Sequence, residues 1–247
     1  MRNYVRMQEE YPCYFMVADL HSLTTHPDTR TLKESVQRVL AENIACGLDP
    51  EKVALYCQSH VPETSELYLY FNMLAYKGEL EKTTTFKDKV RLQPDNVNAG
   101  LLTYPVLQTA DILLHRANLV PVGKDQEQHL EMARNFAQRF NHRYGPVFPE
   151  PQAFNYGQEL VKVPSLDGAG KMSKSENQNA TLYLADDDDL IRKKLMKAKT
   201  DAGPTEPNQP KPDYIENLFA LMQLVSPPEI CSQFEQAYQG CSIRYGD

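Results

Sequence analysis

No two cysteines in this sequence stand at CxxC spacing; the five present, Cys13, Cys46, Cys57, Cys231 and Cys241, are odd in number and far apart. That pattern excludes a disulfide-stapled scaffold and predicts reduced thiols in a cytoplasmic protein. No stretch reaches the about 18 consecutive apolar residues of a membrane span. The opening, MRNYVRMQEEYP, lacks the apolar run of a secretory signal. Internal repeats are absent. So is an excess of positive charge: 26 Lys and Arg stand against 33 Asp and Glu, a net charge of −7. Bulk electrostatics therefore do not advertise nucleic acid, although a local basic patch stays compatible with it. His115, His129 and His142 have no ligand spacing with the cysteines, so no metal site is expected. What is there is an ordinary globular composition, 41% hydrophobic and 24% charged over 247 residues. At roughly 150 residues per domain, this is one large domain or two modest ones, long enough to bury a full core.

Tyr4, Val5, Met7 and Tyr11 are spaced like the apolar side of a helix that ends at Pro12. Residues 13–18 form a continuous apolar run, the pattern of a strand buried on both faces in a parallel sheet. Further strands are predicted at 53–57 and 118–122. Helices are predicted at 31–46, with Gly47 at its C-cap, and at 65–77, 97–115 and 125–143. Pro105 must sit near the start of its helix or kink it. This alternation predicts an α/β protein, a Rossmann-like doubly wound parallel sheet. After the Asp167–Gly170 loop, which is read as flexible, the chain turns helical, at 186–199, 213–225 and 227–239, interrupted by the proline-rich GPTEPNQPKP. The expected division is an α/β domain at 1–175 and a partial helical domain at 176–247.

Three segments carry chemistry. Lys171-Met172-Ser173-Lys174-Ser175 follows glycines and concentrates two ammonium groups and two hydroxyls in five residues. That set suits polyphosphate oxygens whose charge grows as a bond to phosphorus breaks; a solvated basic loop is the plain alternative. Tyr104, Gln108 and Asp111 share one helix face at about 100° per residue, where a carboxylate can accept one N–H and orient a small ligand; ordinary surface polarity is the alternative. Val120-Pro121-Val122-Gly123-Lys124-Asp125-Gln126 is a strand, a glycine turn and a helix start, which puts Asp125 and Gln126 near the carboxyl end of a strand, where α/β folds bind ligands; a capped helix with Asp125 near its positive end is the alternative. The acidic run Asp186–Asp189 is read as a helix N-terminus with i,i+4 pairs Asp188–Arg192 and Asp189–Lys193, in preference to a cation site.

The KMSKS string matches the signature loop of class I aminoacyl-tRNA synthetases. YPVLQTAD at 104–111, VPVGKDQEQH at 120–129, ADLHSLT at 18–24 and GELE at 78–81 resemble the tryptophanyl-tRNA synthetases, in order and over nearly the whole chain. The resemblance implies a tryptophan–tRNA ligase using ATP with Mg2+, with tRNA(Trp), tryptophan and ATP as partners, no membrane, and a homodimer. It implies that Asp111 receives the indole N–H and that Tyr104 and Gln126 hold the ammonium end. His21, Gln108, Val120 and Val122 would line the pocket, and Gln108 stands where many relatives carry methionine. Gly123, Lys124 and Asp125 would meet ATP at the ribose end, with Lys124 where an acidic residue is common, and Val163 would meet the adenine through its backbone. Lys89, Lys171, Ser173 and Lys174 would hold the phosphates, with Lys89, Lys171 and Lys174 catalytic, and Met172 and Ser175 would also bind ATP.

The family's opening strand, its glycine-proline-serine turn and its HIGH-like segment have no counterpart in this sequence, and the distal helices are cut short. The expectation is therefore that residues 13–18 and 118–122 lack a neighbour in the sheet, that the chain as written activates no amino acid, and that restoring an upstream segment recovers solubility and activity together. Two alternatives stay open: tyrosine specificity, since Tyr104, Gln108 and Asp111 suit a phenol too, and a non-catalytic relative that binds tRNA or another partner.

Overall fold

The structure is a computed structural model that describes residues 1–123, 126–154, 163–168, 170, 172 and 177–246. The chain divides into two compact units, Met1–Gln158 and Glu159–Asp247.

The first unit opens with helix α1 (Arg2–Glu10), which ends as Tyr11 turns extended ahead of Pro12, because a residue before proline is pushed out of the helical region. Strand β1 (Tyr14–Val17) follows and pairs in parallel with β2 (Ala54–Cys57), Tyr14 opposite Ala54 and Val17 opposite Cys57. Between them run the short α2 (Asp19–Ser22) and the longer α3 (Leu32–Ala45). Gly47 leaves α3 at φ +105, a conformation that favours glycine, with Val5 of α1 packed where a Cβ would point.

Helices α4 (Pro62–Leu74), α5 (Lys77–Leu80), α6 (Thr84–Leu92) and α7 (Ala99–Leu114) come next. Strand β3 (Leu119–Pro121), α8 (Glu127–Tyr144) and β4 (Gln152–Phe154) close the unit, β3 and β4 pairing in parallel with Val120 opposite Ala153. Short parallel strands alternating with helices make this the expected Rossmann-like α/β architecture.

Helices α4, α7 and α8 meet in one core of Phe71, Leu74, Val106, Ala110, Leu113, Phe136 and Ala137. Pro105 lies inside α7, which continues through it; the Thr109 hydroxyl donates to the Pro105 carbonyl at 2.9 Å. Asn98 caps α7, its side chain accepting from the Leu101 N–H. Among the described residues β1 pairs only with β2 and β3 only with β4. A cleft of about 470 Å³ lies against Tyr14, Phe15 and Met16 of β1 and Leu119, Val120 and Pro121 of β3.

The second unit contains α9 (Asp188–Leu195), α10 (Asp213–Val225) and α11 (Pro228–Gln239), around a core of Ile215, Phe219 and Tyr238. The acidic run does open a helix: the Asp187 side chain caps α9 through the Leu190 N–H at 2.7 Å. The two expected i,i+4 pairs do not form ion bridges; Asp186 instead pairs with Lys194 at 2.6 Å, with both side chains about nine-tenths covered. Lys194 Nζ also donates to the Thr181 carbonyl at 2.9 Å, a site that Arg192 and Lys193, on other faces of the helix, do not share. Gly168, in the loop read as flexible, has φ +76, and a Cβ there would come 2.8 Å from Tyr214 Cβ; close packing as well as turn geometry requires glycine.

All five cysteines carry free thiols. Among the described residues no helix is long and apolar enough to cross a membrane, and no group of three or more His, Cys, Asp or Glu could hold a metal ion.

Candidate functional site

Helix α7 organises the site. Its apolar residues anchor it in the core, while Tyr104, Gln108 and Asp111 emerge along one side, as the i, i+4, i+7 spacing predicts.

Asp111 lines the cleft against β1 and β3, with Tyr56, His115 and Val120. Its carboxylate accepts from Gln58 Nε2, 2.9 Å from each oxygen. His21 Nδ1 is 3.5 Å away. Burial pushes the Asp111 carboxyl up to about 7, against the opposing effect of the Gln58 hydrogen bond. Burial also lowers the pKa of His21, with the hydrogen bond to the Tyr104 carbonyl opposing it and the charge of Lys89 reinforcing it. His21 Nε2 is 3.3 Å from the Tyr104 carbonyl. Next to Asp111, the Tyr56 hydroxyl bonds His115 Nε2 at 2.6 Å; burial and the nearby Asp111 charge push the phenol up to about 12. The Tyr14 ring stacks on His115 at 4.5 Å.

A second cluster surrounds the Tyr104 ring. Its hydroxyl donates to Thr85 Oγ1 at 2.6 Å and lies 2.9 Å from His129 Nε2. His129 Nδ1 is 2.9 Å from Gln126 Oε1, an oxygen that can only accept. The proton therefore sits on Nδ1, and Nε2 accepts from the Thr85 hydroxyl, 2.9 Å away. Gln108 Nε2 approaches the same Gln126 oxygen at 3.5 Å. Lys89 Nζ sits over the Tyr104 ring, 3.6 Å from its centroid, and burial lowers its pKa.

The structure thus gathers His21 and Asp111 in one network and Tyr104, Gln108, Gln126 and Lys89 in another, joined through α7. Val120 lies on the cleft wall; Val122 is half-buried just beyond β3. The Gly123 carbonyl accepts from the Gln126 N–H at 2.9 Å. In the second unit the Val163 carbonyl accepts from the Met172 N–H at 2.7 Å, and Met172 Sδ accepts from the Leu182 N–H at 3.3 Å. Lys124, Asp125, Lys171, Ser173, Lys174 and Ser175 lie outside the described residues.

Sequence reasoning missed Gln58 and His129. Gln58 is fully buried and His129 is 2% exposed, so each holds polar atoms that must find partners inside. His129 carried a usable signal, one turn after Gln126 on the same helix. Gln58 carried only its place after a buried strand.

A sequence model of the class I tRNA synthetases for tryptophan and tyrosine matches residues 1–247. The chain belongs to this family. Its similarity lies on the tryptophan side: it is 58% identical over 248 residues to a tryptophan–tRNA ligase of Porphyromonas gingivalis, covering 100% of this chain and 75% of that protein. The crystal structure of the tryptophanyl-tRNA synthetase of Campylobacter jejuni, complexed with ADP and tryptophan, superposes with a TM-score of 0.87 at 33% identity, covering 99% of this chain and 75% of the other. The enzyme of Mycoplasma pneumoniae superposes with a TM-score of 0.71 at 33% identity, covering 94% and 70%.

Proposed function

We propose that this chain performs the chemistry of a tryptophan–tRNA ligase. The tryptophan carboxylate attacks the α-phosphorus of ATP held with Mg2+; an oxygen–phosphorus bond forms, the bond to the β-phosphate bridge breaks, and pyrophosphate leaves. The acyl group of the adenylate then passes to a terminal ribose hydroxyl of tRNA, releasing AMP. The carboxylate is already a nucleophile, so the first step needs positioning and charge stabilisation more than a general base.

The observation that carries this reading is the Asp111 carboxylate, held by Gln58 beside His21 at the wall of an apolar cleft of about 470 Å³. That is a volume within the range of small-ligand sites and a charged acceptor suited to one N–H. In this reading Tyr104 and Gln126 receive the ammonium group, and His21, Gln108, Val120 and Val122 shape the pocket. Gly123, Lys124, Asp125 and Val163 serve the nucleoside, Lys89, Lys171, Ser173 and Lys174 the phosphates, and Met172 and Ser175 also bind ATP. The functional boundary is proposed at residue 175, with 176–247 belonging to tRNA recognition, and the working protein is proposed to be a cytoplasmic homodimer.

The chain contains no tryptophan, so the added ligand, free and bound, supplies all the indole fluorescence and its change reports binding. Saturable binding of tryptophan, not matched by tyrosine, that weakens by about 1–3 kcal/mol in Asp111→Asn is expected for loss of a buried charged acceptor. Tyrosine binding of equal strength, or unchanged tryptophan binding in the variant, overturns the assignment. Tryptophan-dependent ATP–pyrophosphate exchange tests the activation step.

A further inference from the structure

Gln58 begins the turn that follows β2 and is completely buried. Every hydrogen-bonding capacity of its amide except one lone pair is used. Oε1 accepts from the His21 backbone N–H at 3.1 Å. Nε2 is 2.9 Å from both oxygens of Asp111 and 2.9 Å from His21 Nδ1. A primary amide has two hydrogens, so one is shared by the carboxylate and the other goes to the imidazole.

This arithmetic fixes more than Gln58. His21 Nδ1 must be an acceptor, because the atom facing it is a donor. The ring proton is therefore on Nε2, where the Tyr104 carbonyl lies 3.3 Å away and can accept it. A cationic His21 would set N–H against N–H. The carboxylate, gripped across both oxygens by a single N–H, keeps its outward lone pairs for another donor.

We propose that Gln58 is a positioning residue for amino-acid recognition: its side-chain amide fixes the orientation of the Asp111 carboxylate and the tautomer of His21, leaving Asp111 a lone-pair direction open to the N–H of a heteroaromatic ligand. The proposal rests on the reading of Asp111 given above. Glutamine is needed because no other side chain of that length offers two hydrogens to two different acceptors while its oxygen receives a backbone N–H. Met keeps the shape and removes both donors; Glu replaces the donor with a second carboxylate against Asp111. The groups that face Asp111 are His21 on α2, Tyr56 on β2 and His115 after α7, with Lys89 of α6 acting on His21; only Gln58 donates to the carboxylate itself among the described residues.

The test compares wild type, Gln58→Met, Gln58→Glu, Asp111→Asn and Gln58→Met with Asp111→Asn, measuring tryptophan binding from pH 5 to 9 by ligand fluorescence and ATP binding in parallel. Gln58→Met is expected to weaken tryptophan binding at least tenfold, to move its pH midpoint upward, and to leave ATP affinity within about twofold, a tenfold change corresponding to about 1.4 kcal/mol. Gln58→Glu is expected to lose more at neutral pH, and Gln58→Met to add little once Asp111 is Asn. Asp111→Asn weakening binding while Gln58→Met does not overturns this proposal and leaves the reading of Asp111 standing; unchanged binding in Asp111→Asn, or none in wild type, overturns that reading. In unsubstituted protein, nitrogen-15 spectra of the His21 imidazole are expected to show the neutral Nε2–H tautomer at neutral pH. An Nδ1–H or cationic ring overturns the proposal whether or not the variants fold.

Discussion

The ammonium of Lys89 lies 3.6 Å from the centroid of the Tyr104 ring. A lysine of the mainly polar helix α6 is thus held against the residue proposed to bind the ligand's ammonium group. The ring face attracts the cation, while burial lowers its pKa. The contact keeps one positive charge stationed beside the proposed amino-acid site and tethers α6 to α7.

Lys89→Met retains much of the stem and removes the charge. Exchange kcat is expected to fall about tenfold or more, since a charge acting on the departing pyrophosphate is worth most in the transition state. Tryptophan affinity is expected to change less than threefold. Steady-state exchange with separate titrations of ATP and tryptophan checks this; a loss confined to tryptophan affinity would assign Lys89 to Tyr104 alone.

Asp111 makes a pH prediction whose sign is opposite to that of most carboxylates. Its folded pKa of about 7 lies above the ordinary value of 3.8. Its contribution to stability is therefore fully present below pH 3.8 and is lost as pH rises to about 7, by about 1.4 kcal/mol for each unit of the shift. Asp111→Asn removes that loss. Melting temperatures of the two proteins are expected to diverge between pH 4 and 7, with the variant gaining on wild type as pH rises; parallel curves would refute the raised pKa.

Lys171→Ala and Lys174→Ala are expected to slow adenylate formation while leaving tryptophan affinity nearly intact, because their contacts strengthen as pyrophosphate leaves. Single-turnover formation of the adenylate is the measurement, and unimpaired rates in both variants would remove the loop from the phosphate site.

In the second unit Lys194→Met leaves the Asp186 carboxylate and the Thr181 carbonyl without their shared donor. Truncating one partner of a covered pair costs more than the pair itself contributes, so the melting temperature is expected to drop by several degrees. Arg192→Met, on another face of α9, is expected to have little effect. Equal, small losses would show the bridge to be energetically idle.

The elements with strong periodicity or unbroken apolarity were readable in advance. Strands 14–17 and 54–57 and helices 32–45, 99–114 and 213–225 fall within a few residues of their expected spans. Helix α6 was not, since TTFKDKVRL is mainly polar, and its place depends on Lys89 and Thr85 meeting Tyr104. Strand β4, Gln152–Phe154, was also missed: three residues carry too little pattern, and pairing with β3 defines it.

The α/β order of the chain and the shared face of Tyr104, Gln108 and Asp111 were legible from the sequence, because helical and strand periods are local properties of a polymer. Packing alone settled that Gln58, in a turn 53 residues earlier in sequence, grips Asp111, that His129 closes the Tyr104 cluster, and that Asp186 pairs with Lys194. Each is a buried polar group whose partner is fixed by the requirement that its hydrogen bonds be satisfied away from water. That requirement is met by whichever residue the packing brings near, however distant it is along the chain.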